Sequence, residues 1–310
     1  MGEQATVLGA ETEIRRDLRG LVDRVLQDFP DKYWRRLDKE NAYPEEFVDA
    51  LTETGLLGAL VPEEYGGLGL GMGDASVILE QMNRRGANAS PVHAQLYTMG
   101  AVLRHGSEEQ RRAYLPGIAD GSVRLQAFAI TEPTAGTDTT NLRTTAVRDG
   151  SEYVVNGQKV FISRVQHSDL MLLLARTTPL DQVEKKSQGL SLFLIDMREV
   201  SGVTVRPLET MVNHETNEVF FDDVRIPASS LVGVEGRGFS QVLDGMNAER
   251  ILVAAECIGD GRWFVERASR YASEREVFGR PIGQNQGVQF ADRPGPRQRR
   301  GGRPDAVARR

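Results

Sequence analysis

From residue 11 to about residue 120, apolar side chains recur at three- and four-residue steps, which is the spacing of one face of an α-helix. Phe47 and Leu51 share such a face, and Ser107 with Gln110 has the spacing of a helix-capping box. Five runs follow this pattern: LRGLVDRVL, PEEFVDALTETGLLGAL, DASVILEQMNRRG, HAQLYTMGAVLRHG and SEEQRRAYLPGIADG. The sequence therefore predicts an N-terminal helical bundle, with the glycine-rich stretch PEEYGGLGLGMGD as a loop between two helices.

From about residue 123 the hydrophobic period changes to two, which is typical of strands. β-Branched and aromatic residues dominate RLQAFAIT, TTAVRDGSEYVVNGQKVFIS, DLMLLLART, LSLFLID, VTVRPL and EVFFDDVRI. The dipeptides at Asp149 and Gly150 and at Asn156 and Gly157 favour tight hairpin turns. These features predict a middle domain built as an antiparallel β-sheet or a small barrel.

Helical spacing returns after residue 235, where Ile251, Ala254, Ala255 and Ile258 mark one face of a long helix that we expect to be buried. Past Phe290 the apolar pattern stops. Strands segregated between helical regions predict an α+β fold and argue against a doubly wound nucleotide-binding fold. The predicted domains are an N-terminal all-helical domain (1–122), a middle β domain (123–234), the start of a C-terminal helical domain (235–290) and a disordered tail (291–310).

Composition and charge narrow the class of protein. Of the 310 residues, 40% are hydrophobic and 26% are charged, which is ordinary for a globular protein. The net charge is −6 although the tail holds seven Arg and two Asp, so the rest of the chain is acidic and offers no electrostatic case for nucleic-acid binding. The lone Cys257 excludes an internal disulfide and a thiolate metal site, and its place on the long helix predicts a small buried side chain.

The sequence also bears on location and on metal chemistry. No segment approaches the ~20 apolar residues of a membrane span, and the N-terminus lacks the apolar stretch of a signal peptide. With a single cysteine, this predicts a reducing, cytoplasmic setting. His93, His105, His167 and His214 are scattered, with the spacing of neither a metal pair nor a nucleophile triad, so no metal site is predicted.

The segment AITEPTAGTD at residues 129–138 closely resembles the first signature of the acyl-CoA dehydrogenase family. Further matches follow the family's order along the chain: PEEYGGLG at 63–70, NGQKVFIS at 156–163, EVFFDDVRIP at 218–227, EGRGF at 235–239 and REVFGRPIGQNQ at 275–286. Members share a helical domain, a middle β domain and a second helical domain, which is the layout that the hydrophobic periods predict. The resemblance runs to about residue 290 and implies a flavoenzyme that binds FAD noncovalently.

The resemblance assigns five residues around the signature to FAD: Phe128, Ile130, Thr131, Gly136 and Thr137. Flavin needs hydrogen-bond donors at its ring edges, which backbone and hydroxyl groups supply. Thr137 stands where the family has a Ser that also meets the substrate, and Asn141 departs from a usually small residue. On composition alone, this segment would be only a turn between strands.

Two further groups of residues match cofactor positions of the family. Phe161, Ile162 and Ser163 stand where relatives have an aromatic residue, Ile and a hydroxyl residue, with the ring beside the flavin and the hydroxyl near N5. The second group matches contacts to the dinucleotide part of FAD, typically made across a subunit boundary: Arg275, Phe278 and Gln286. A guanidinium suits a pyrophosphate because it donates two parallel hydrogen bonds.

The family's reaction implies a carboxylate base, which removes the α-proton of a thioester while hydride leaves the β-carbon for flavin N5. Isovaleryl- and long-chain-like members carry this base on the long helix in a Glu-Arg pair, which Glu249 and Arg250 match. Other members carry it nearer the C-terminus, so both positions stay open. Arg250 then resembles the residue that orients the base loop, and Asn247 the polar contact to the acyl-CoA.

The resemblance thus implies an acyl-CoA dehydrogenase that forms an α,β double bond and passes electrons to an electron-transferring flavoprotein or a similar acceptor. Full-length relatives are homo-oligomers. Because the match ends near residue 290, we also expect the chain to be truncated at its C-terminus. Truncation makes one alternative a catalytically defective fragment with residual flavin or acyl-CoA binding. A second alternative, which does not depend on truncation, is a related flavin oxidase or monooxygenase.

Overall fold

The computed structural model describes residues 12–291 and divides into two compact units. The first unit comprises residues 12–34, 71–89 and 250–291, and the second comprises residues 35–70 and 90–249. Helical regions flank a β-sheet along the chain, so the predicted α+β class is confirmed. The tail predicted for residues 291–310 lies outside the described residues, apart from Ala291.

Between residue 12 and the first strand lie six α-helices: α1 (Glu13–Leu26), α2 (Asp31–Glu40), α3 (Glu45–Glu53), α4 (Met72–Arg84), α5 (Ser90–His105) and α6 (Glu108–Asp120). Side-chain caps begin two of them, because Thr12 accepts from the Arg15 N–H, and Ser107 with Gln110 forms the predicted capping box. The sequence pattern missed α2. That helix buries only Tyr33 and Leu37 and shows no apolar stripe long enough to reveal a helical period.

Eight strands form one sheet in the second unit: β1 (Leu125–Ala129), β2 (Thr145–Asp149), β3 (Glu152–Ser163), β4 (Leu170–Arg176), β5 (Leu190–Asp196), β6 (Val203–Pro207), β7 (Thr216–Pro227) and β8 (Leu231–Val232). The order is β6-β7-β3-β2-β4-β5-β8, with β1 paired to β4. Most pairs are antiparallel, as predicted, but β1 and β2 each run parallel to β4. β4 and β5 are buried along their whole length, so neither strand has the solvent-exposed face that a hydrophobic period of two predicts.

The two predicted hairpin turns have different outcomes. Gly150, with φ of 60°, turns the chain between β2 and β3, as expected. Asn156 and Gly157 instead lie inside β3, where the register against β7 shifts between Val155 and Gly157. A Cβ at Gly157 would come within 2.7 Å of the Thr144 Cα, so this glycine permits close backbone approach. The predicted turn there is wrong, and the dipeptide forms a β-bulge.

After the sheet come α7 (Gly238–Glu274), the short strands β9 (Glu276–Val277) and β10 (Arg280–Pro281), and α8 (Gln286–Ala291). The length predicted for the helix is confirmed, and its predicted burial holds in part: on the predicted face Ala255 is buried and Ile251, Ala254 and Ile258 are half-buried. Leu252 and Ala255 are buried, whereas Phe264 is 64% exposed. Cys257, predicted to be buried, is also exposed. Apolar spacing gives the helical period, whereas burial depends on the surroundings of each face.

In the first unit, α1 packs against α4 through ion pairs. Arg15 lies 2.9 Å from Asp74, and Arg19 lies 3.1 Å from Glu80. Gly86 has a φ of 78°, and a Cβ there would lie 2.4 Å from the Trp263 indole nitrogen, so glycine is required. Within residues 12–291, no helix is both long and apolar enough to cross a membrane.

Candidate active site

The signature segment, residues 129–138, forms a turn after β1 that is closed by hydrogen bonds among its own and the following residues. Glu132 and Ala135 exchange backbone hydrogen bonds of 3.1 Å, and the Thr139 hydroxyl donates to the Gly136 carbonyl at 3.1 Å. Asn141, which departs from the family pattern, donates its amide to Asp138. Among residues 12–291, no hydrogen bond uses the hydroxyl of Thr131 or Thr137. These donors are therefore available to a ligand.

Gly136 leaves open space beside the same turn. A Cβ placed on Gly136 would meet no other atom of the described chain within 4 Å. Its φ lies outside the left-handed range, so neither backbone strain nor crowding within the chain requires glycine here. The space lies beside Thr137, and a flat ligand that approached the backbone closely would fill it.

A buried ion pair holds this turn in place. The Lys159 ammonium is fully buried, 2.9 Å from a Glu132 carboxylate oxygen and 2.9 Å from the Ile130 carbonyl oxygen. Glu132 also accepts from the backbone N–H groups of Arg143, at 2.6 Å, and Thr144, at 2.9 Å. Burial lowers the pKa of Lys159 to about 8. Burial acts to raise the pKa of Glu132, but the Lys159 charge and the N–H donors outweigh it and lower that pKa.

The second group of predicted flavin contacts, Phe161 to Ser163, lies at the end of β3, where the backbone is strained. The register of β3 shifts again between Lys159 and Ile162, and Phe161 adopts a φ of 60°. The bend turns the Phe161 ring outward, where it is 65% exposed, while Ile162 remains buried. Positive φ is uncommon for an aromatic residue and marks positions held by their surroundings, often at functional sites. Because Val160 donates its N–H to the Thr131 carbonyl at 2.9 Å, this bend adjoins the signature turn.

The predicted base lies on the second unit's part of α7, near an aromatic cluster. The Phe128 ring on β1 lies 6.0 Å from the Tyr97 ring on α5, measured between centroids. Burial raises the pKa of the Tyr97 hydroxyl well above its ordinary value, and the nearby Glu249 carboxylate raises it further. The second unit therefore brings Glu249 and Phe128 to the same tyrosine, although more than a hundred residues separate them in sequence.

Five predicted site residues remain, and they are divided between the two units. Asn247, in the second unit, is exposed on α7, and Arg250 begins the part of α7 that belongs to the first unit. In the first unit, Arg275 precedes the turn between β9 and β10 and Phe278 lies within it, where Phe278 is fully exposed with a φ of 54°. Gln286 is exposed at the start of α8.

An open pocket of about 400 Å³ adjoins the signature segment in the second unit. Its lining comprises Thr134, Asn141, Leu142, Arg143, Arg176 and Leu180. The Arg176 guanidinium donates to the carbonyls of Thr140, at 2.8 Å, and Gln188, at 3.1 Å, so it holds the pocket's walls together. Arg143 is exposed and gives the pocket a cationic side chain.

Sequence reasoning missed four residues that shape this region: Lys159, Glu132, Tyr97 and Asn213, whose side-chain amide donates to the Ser163 hydroxyl at 2.9 Å. A signal for Lys159 was present, because the period of two set by Tyr153 and Val155 places it on the inward face, where a charge needs a partner. Tyr97 was one of many apolar positions in a helical run. Asn213 lies in a loop, and its role depends on tertiary contacts that no local pattern encodes.

Three domain models of the acyl-CoA dehydrogenase family match the chain: the N-terminal domain over residues 11–122, the middle domain over 127–224 and the C-terminal domain over 236–291. The chain is 36% identical over 281 residues to acyl-CoA dehydrogenase FadE12 of Mycobacterium tuberculosis, which covers 90% of this chain and 71% of FadE12.

Two solved structures are similar in fold to this chain. Glutaryl-CoA dehydrogenase in complex with glutaryl-CoA has a TM-score of 0.84 and 30% identity, covering 92% of this chain and 72% of that chain. A structure of the electron transferring flavoprotein of Acidaminococcus fermentans has a TM-score of 0.85 and 30% identity, covering 91% of this chain and 74% of that chain.

Along the chain, helical regions precede and follow an eight-stranded sheet, which is the domain order of the three matching models. The chain belongs to the acyl-CoA dehydrogenase family and is an enzyme of that class. Its cofactor is FAD. The residues present fit this group, because the open space at Gly136 and the unused hydroxyls of Thr131 and Thr137 offer what a flat, acceptor-rich ring needs.

Proposed function

We propose that the chain catalyses α,β-dehydrogenation of an acyl-CoA thioester, with Glu249 as the base that removes the α-proton. One observation carries the proposal: the Glu249 carboxylate is near enough to Tyr97 to raise the pKa of its hydroxyl, and the Phe128 ring, assigned to the FAD site, lies 6.0 Å from the Tyr97 ring. A general base must lie near both the proton that it takes and the group that completes the reaction.

The chain's own residues have separate tasks in this scheme. The donors of Thr131, Gly136, Thr137 and Ser163 bind the cofactor's polar edges. Phe128, Ile130, Phe161 and Ile162 supply apolar surface that excludes water, which strengthens every electrostatic interaction nearby. Arg275, Phe278 and Gln286 are proposed contacts to the dinucleotide part, on the resemblance alone.

Two of the proposed residues bind the thioester portion of the substrate, and a third orients the base. Thr137 and Asn247 hold the thioester portion, so that the α-carbon faces Glu249, which accepts its proton on a carboxylate oxygen. Arg250 orients the base. FAD, when bound, supplies the two-electron oxidising chemistry that a carboxylate lacks. The cationic Arg143 at the open pocket suits the phosphates of CoA.

The partners follow from the family and remain proposals. We propose that electrons pass to an electron-transferring flavoprotein or a similar acceptor, that the protein works as a homo-oligomer, and that it acts in the cytoplasm. Purified protein that consumes oxygen during turnover would instead favour a flavin oxidase.

Glu249→Gln tests the proposal. Under anaerobic conditions, short, branched and long saturated acyl-CoA thioesters are mixed with the FAD-loaded protein, and bleaching of the flavin band is followed. We expect the variant to keep its FAD and its thioester affinity but to bleach about 10²- to 10⁴-fold more slowly, since a general base contributes about that factor.

Glu274→Gln is the matched control, because Glu274 ends the same helix and is exposed. It should bleach at the wild-type rate. Normal bleaching in Glu249→Gln moves the base elsewhere. A wild-type protein that holds FAD and is bleached by none of the thioesters contradicts the dehydrogenase proposal and supports the defective fragment.

A further inference from the structure

Asn213 links the loop after β6 to the end of β3, where Ser163 lies. Its amide nitrogen lies 2.9 Å from the Ser163 hydroxyl oxygen and 2.9 Å from the Thr216 hydroxyl oxygen. Its amide oxygen accepts from Arg164 at 3.0 Å. The residue has a φ of 58°, and its carbonyl accepts from the Thr216 hydroxyl at 2.7 Å. Every hydrogen-bonding position of this side-chain amide except one oxygen lone pair is therefore in use.

These partners fix which way the amide faces. An arginine side chain has only donors, so the atom that faces Arg164 must be the amide oxygen. The nitrogen then faces Ser163 and Thr216. The Thr216 hydroxyl donates its hydrogen to the Asn213 carbonyl, so it accepts from the nitrogen. The assignment is consistent at every contact and leaves Asn213 as a donor to Ser163.

The consequence concerns the Ser163 proton. Because the Ser163 oxygen accepts from Asn213, its O–H must donate in another direction. We propose that Asn213 is a positioning residue that keeps the Ser163 hydroxyl as a donor to FAD. This inference rests on the proposed role of Ser163 in binding the cofactor, and it adds the residue that sets the direction of the hydroxyl.

Asn213→Asp reverses the direction with almost no change in shape. A carboxylate has no hydrogen to give, so the Ser163 hydroxyl turns to donate to it and is lost to the cofactor. The same carboxylate keeps an acceptor for Arg164. Asn213→Gly is the second variant, since glycine accepts the left-handed φ and removes the amide without adding charge.

The experiment measures FAD affinity of the apoprotein by quenching of flavin fluorescence, together with the shape of the flavin absorption band. The variants are Asn213→Asp, Asn213→Gly, Ser163→Ala and the double variant Asn213→Asp with Ser163→Ala. Val212→Asp is the control, because it adds the same charge one residue away at an exposed side chain. Thermal unfolding of each apoprotein checks that it folds.

We expect Ser163→Ala and Asn213→Asp each to weaken FAD binding about tenfold and to alter the absorption band alike, with a smaller loss in Asn213→Gly. Asn213→Asp should cause no further loss once Ser163 is Ala, because residues that act through one contact are not additive. Val212→Asp should bind FAD like the wild type.

The inference is overturned if Asn213→Asp weakens binding equally in both backgrounds, if Val212→Asp matches it, or if Ser163→Ala has no effect. These results leave the dehydrogenase proposal intact, because that proposal depends on bleaching by acyl-CoA and on Glu249. Wild-type protein that binds no FAD overturns the cofactor assignment, and this inference with it.

Discussion

Two ion pairs of nearly equal length, one in each unit, differ sharply in burial. In the second unit, Lys159 lies 2.9 Å from Glu132, with side chains 0% and 4% exposed. In the first unit, Arg84 lies 2.7 Å from Glu266, with side chains 40% and 50% exposed. Water solvates both members of the exposed pair whether or not they meet, whereas the buried charges depend entirely on protein partners.

The buried pair is also tied to the main chain. Lys159 donates to the Ile130 carbonyl, and Glu132 accepts from the N–H groups of Arg143 and Thr144. Loss of either charge therefore loosens both ends of the signature turn. The exposed pair joins only the side chains of α4 and α7. The comparison indicates that burial and backbone contacts turn an ion pair into a positioning device, whereas the distance between the charges does not.

The largest expected effect follows from removing one buried charge. Lys159→Met leaves the Glu132 carboxylate buried without its cation, so we expect the free energy of unfolding to fall by about 3–5 kcal/mol. Chemical denaturation of the apoprotein measures this. Glu266→Gln, which breaks the exposed pair, should cost about 0.2–1 kcal/mol. Equal losses in the two variants would mean that burial does not distinguish the pairs.

Substitutions at the signature turn should weaken FAD binding more than they destabilise the fold. Thr131→Val removes a hydroxyl that has no partner among residues 12–291, so the apoprotein should unfold like the wild type. We expect FAD affinity to fall about 2- to 10-fold, the value of one hydrogen bond. Gly136→Val fills the open space and should also weaken binding.

Thr204→Val is the control for this pair of variants, since Thr204 is exposed on the edge strand β6. Equilibrium dialysis or fluorescence titration with FAD distinguishes the outcomes. If both variants bind FAD as tightly as the wild type, the signature turn is not a cofactor contact. If they instead lose stability without FAD, the turn belongs to the core.

Local chemistry explains which parts of the fold the sequence predicted. The capping box at Ser107 and the turn at Gly150 depend on neighbouring residues, and both are present. The turn expected at Asn156 failed because pairing with β7 absorbed the dipeptide as a bulge. Burial of Cys257 failed for a related reason, since a helical period shows that a face exists but not what lies against it.

The same distinction between local and tertiary effects applies to the candidate site. Its residue types could be assigned from the signature because family motifs lie in short stretches. Its geometry could not, because the outward turn of Phe161 arises from a register shift in β3, and simple alternation would place this ring with Tyr153 in the core. The contact between Asn213 and Ser163 spans fifty residues. The roles assigned to the site residues remain predictions.

The smallest expected effect concerns His167, whose side chain is 29% exposed and therefore intermediate between the two ion pairs. Its ring stacks on Tyr43 at 3.8 Å, and the Glu45 carboxylate lies 4.0 Å away. Burial lowers the pKa of His167 below its ordinary value. Glu45 and Glu215 act to raise it, and Arg164 lowers it further. Burial thus outweighs the nearby carboxylates.

This shift predicts the sign of a pH dependence. With a lowered pKa in the folded state, the unfolded chain binds more protons in the window just below the ordinary histidine pKa of about 6.5. Stability therefore falls as the pH decreases through that window. Unfolding of the wild type and of His167→Gln is compared from about pH 7.5 to about pH 5. The stability advantage of the wild type should shrink on acidification by less than about 1 kcal/mol, a smaller effect than removal of Lys159. An advantage that grows on acidification would show that Glu45 and Glu215 dominate, and that partial burial does not govern this histidine.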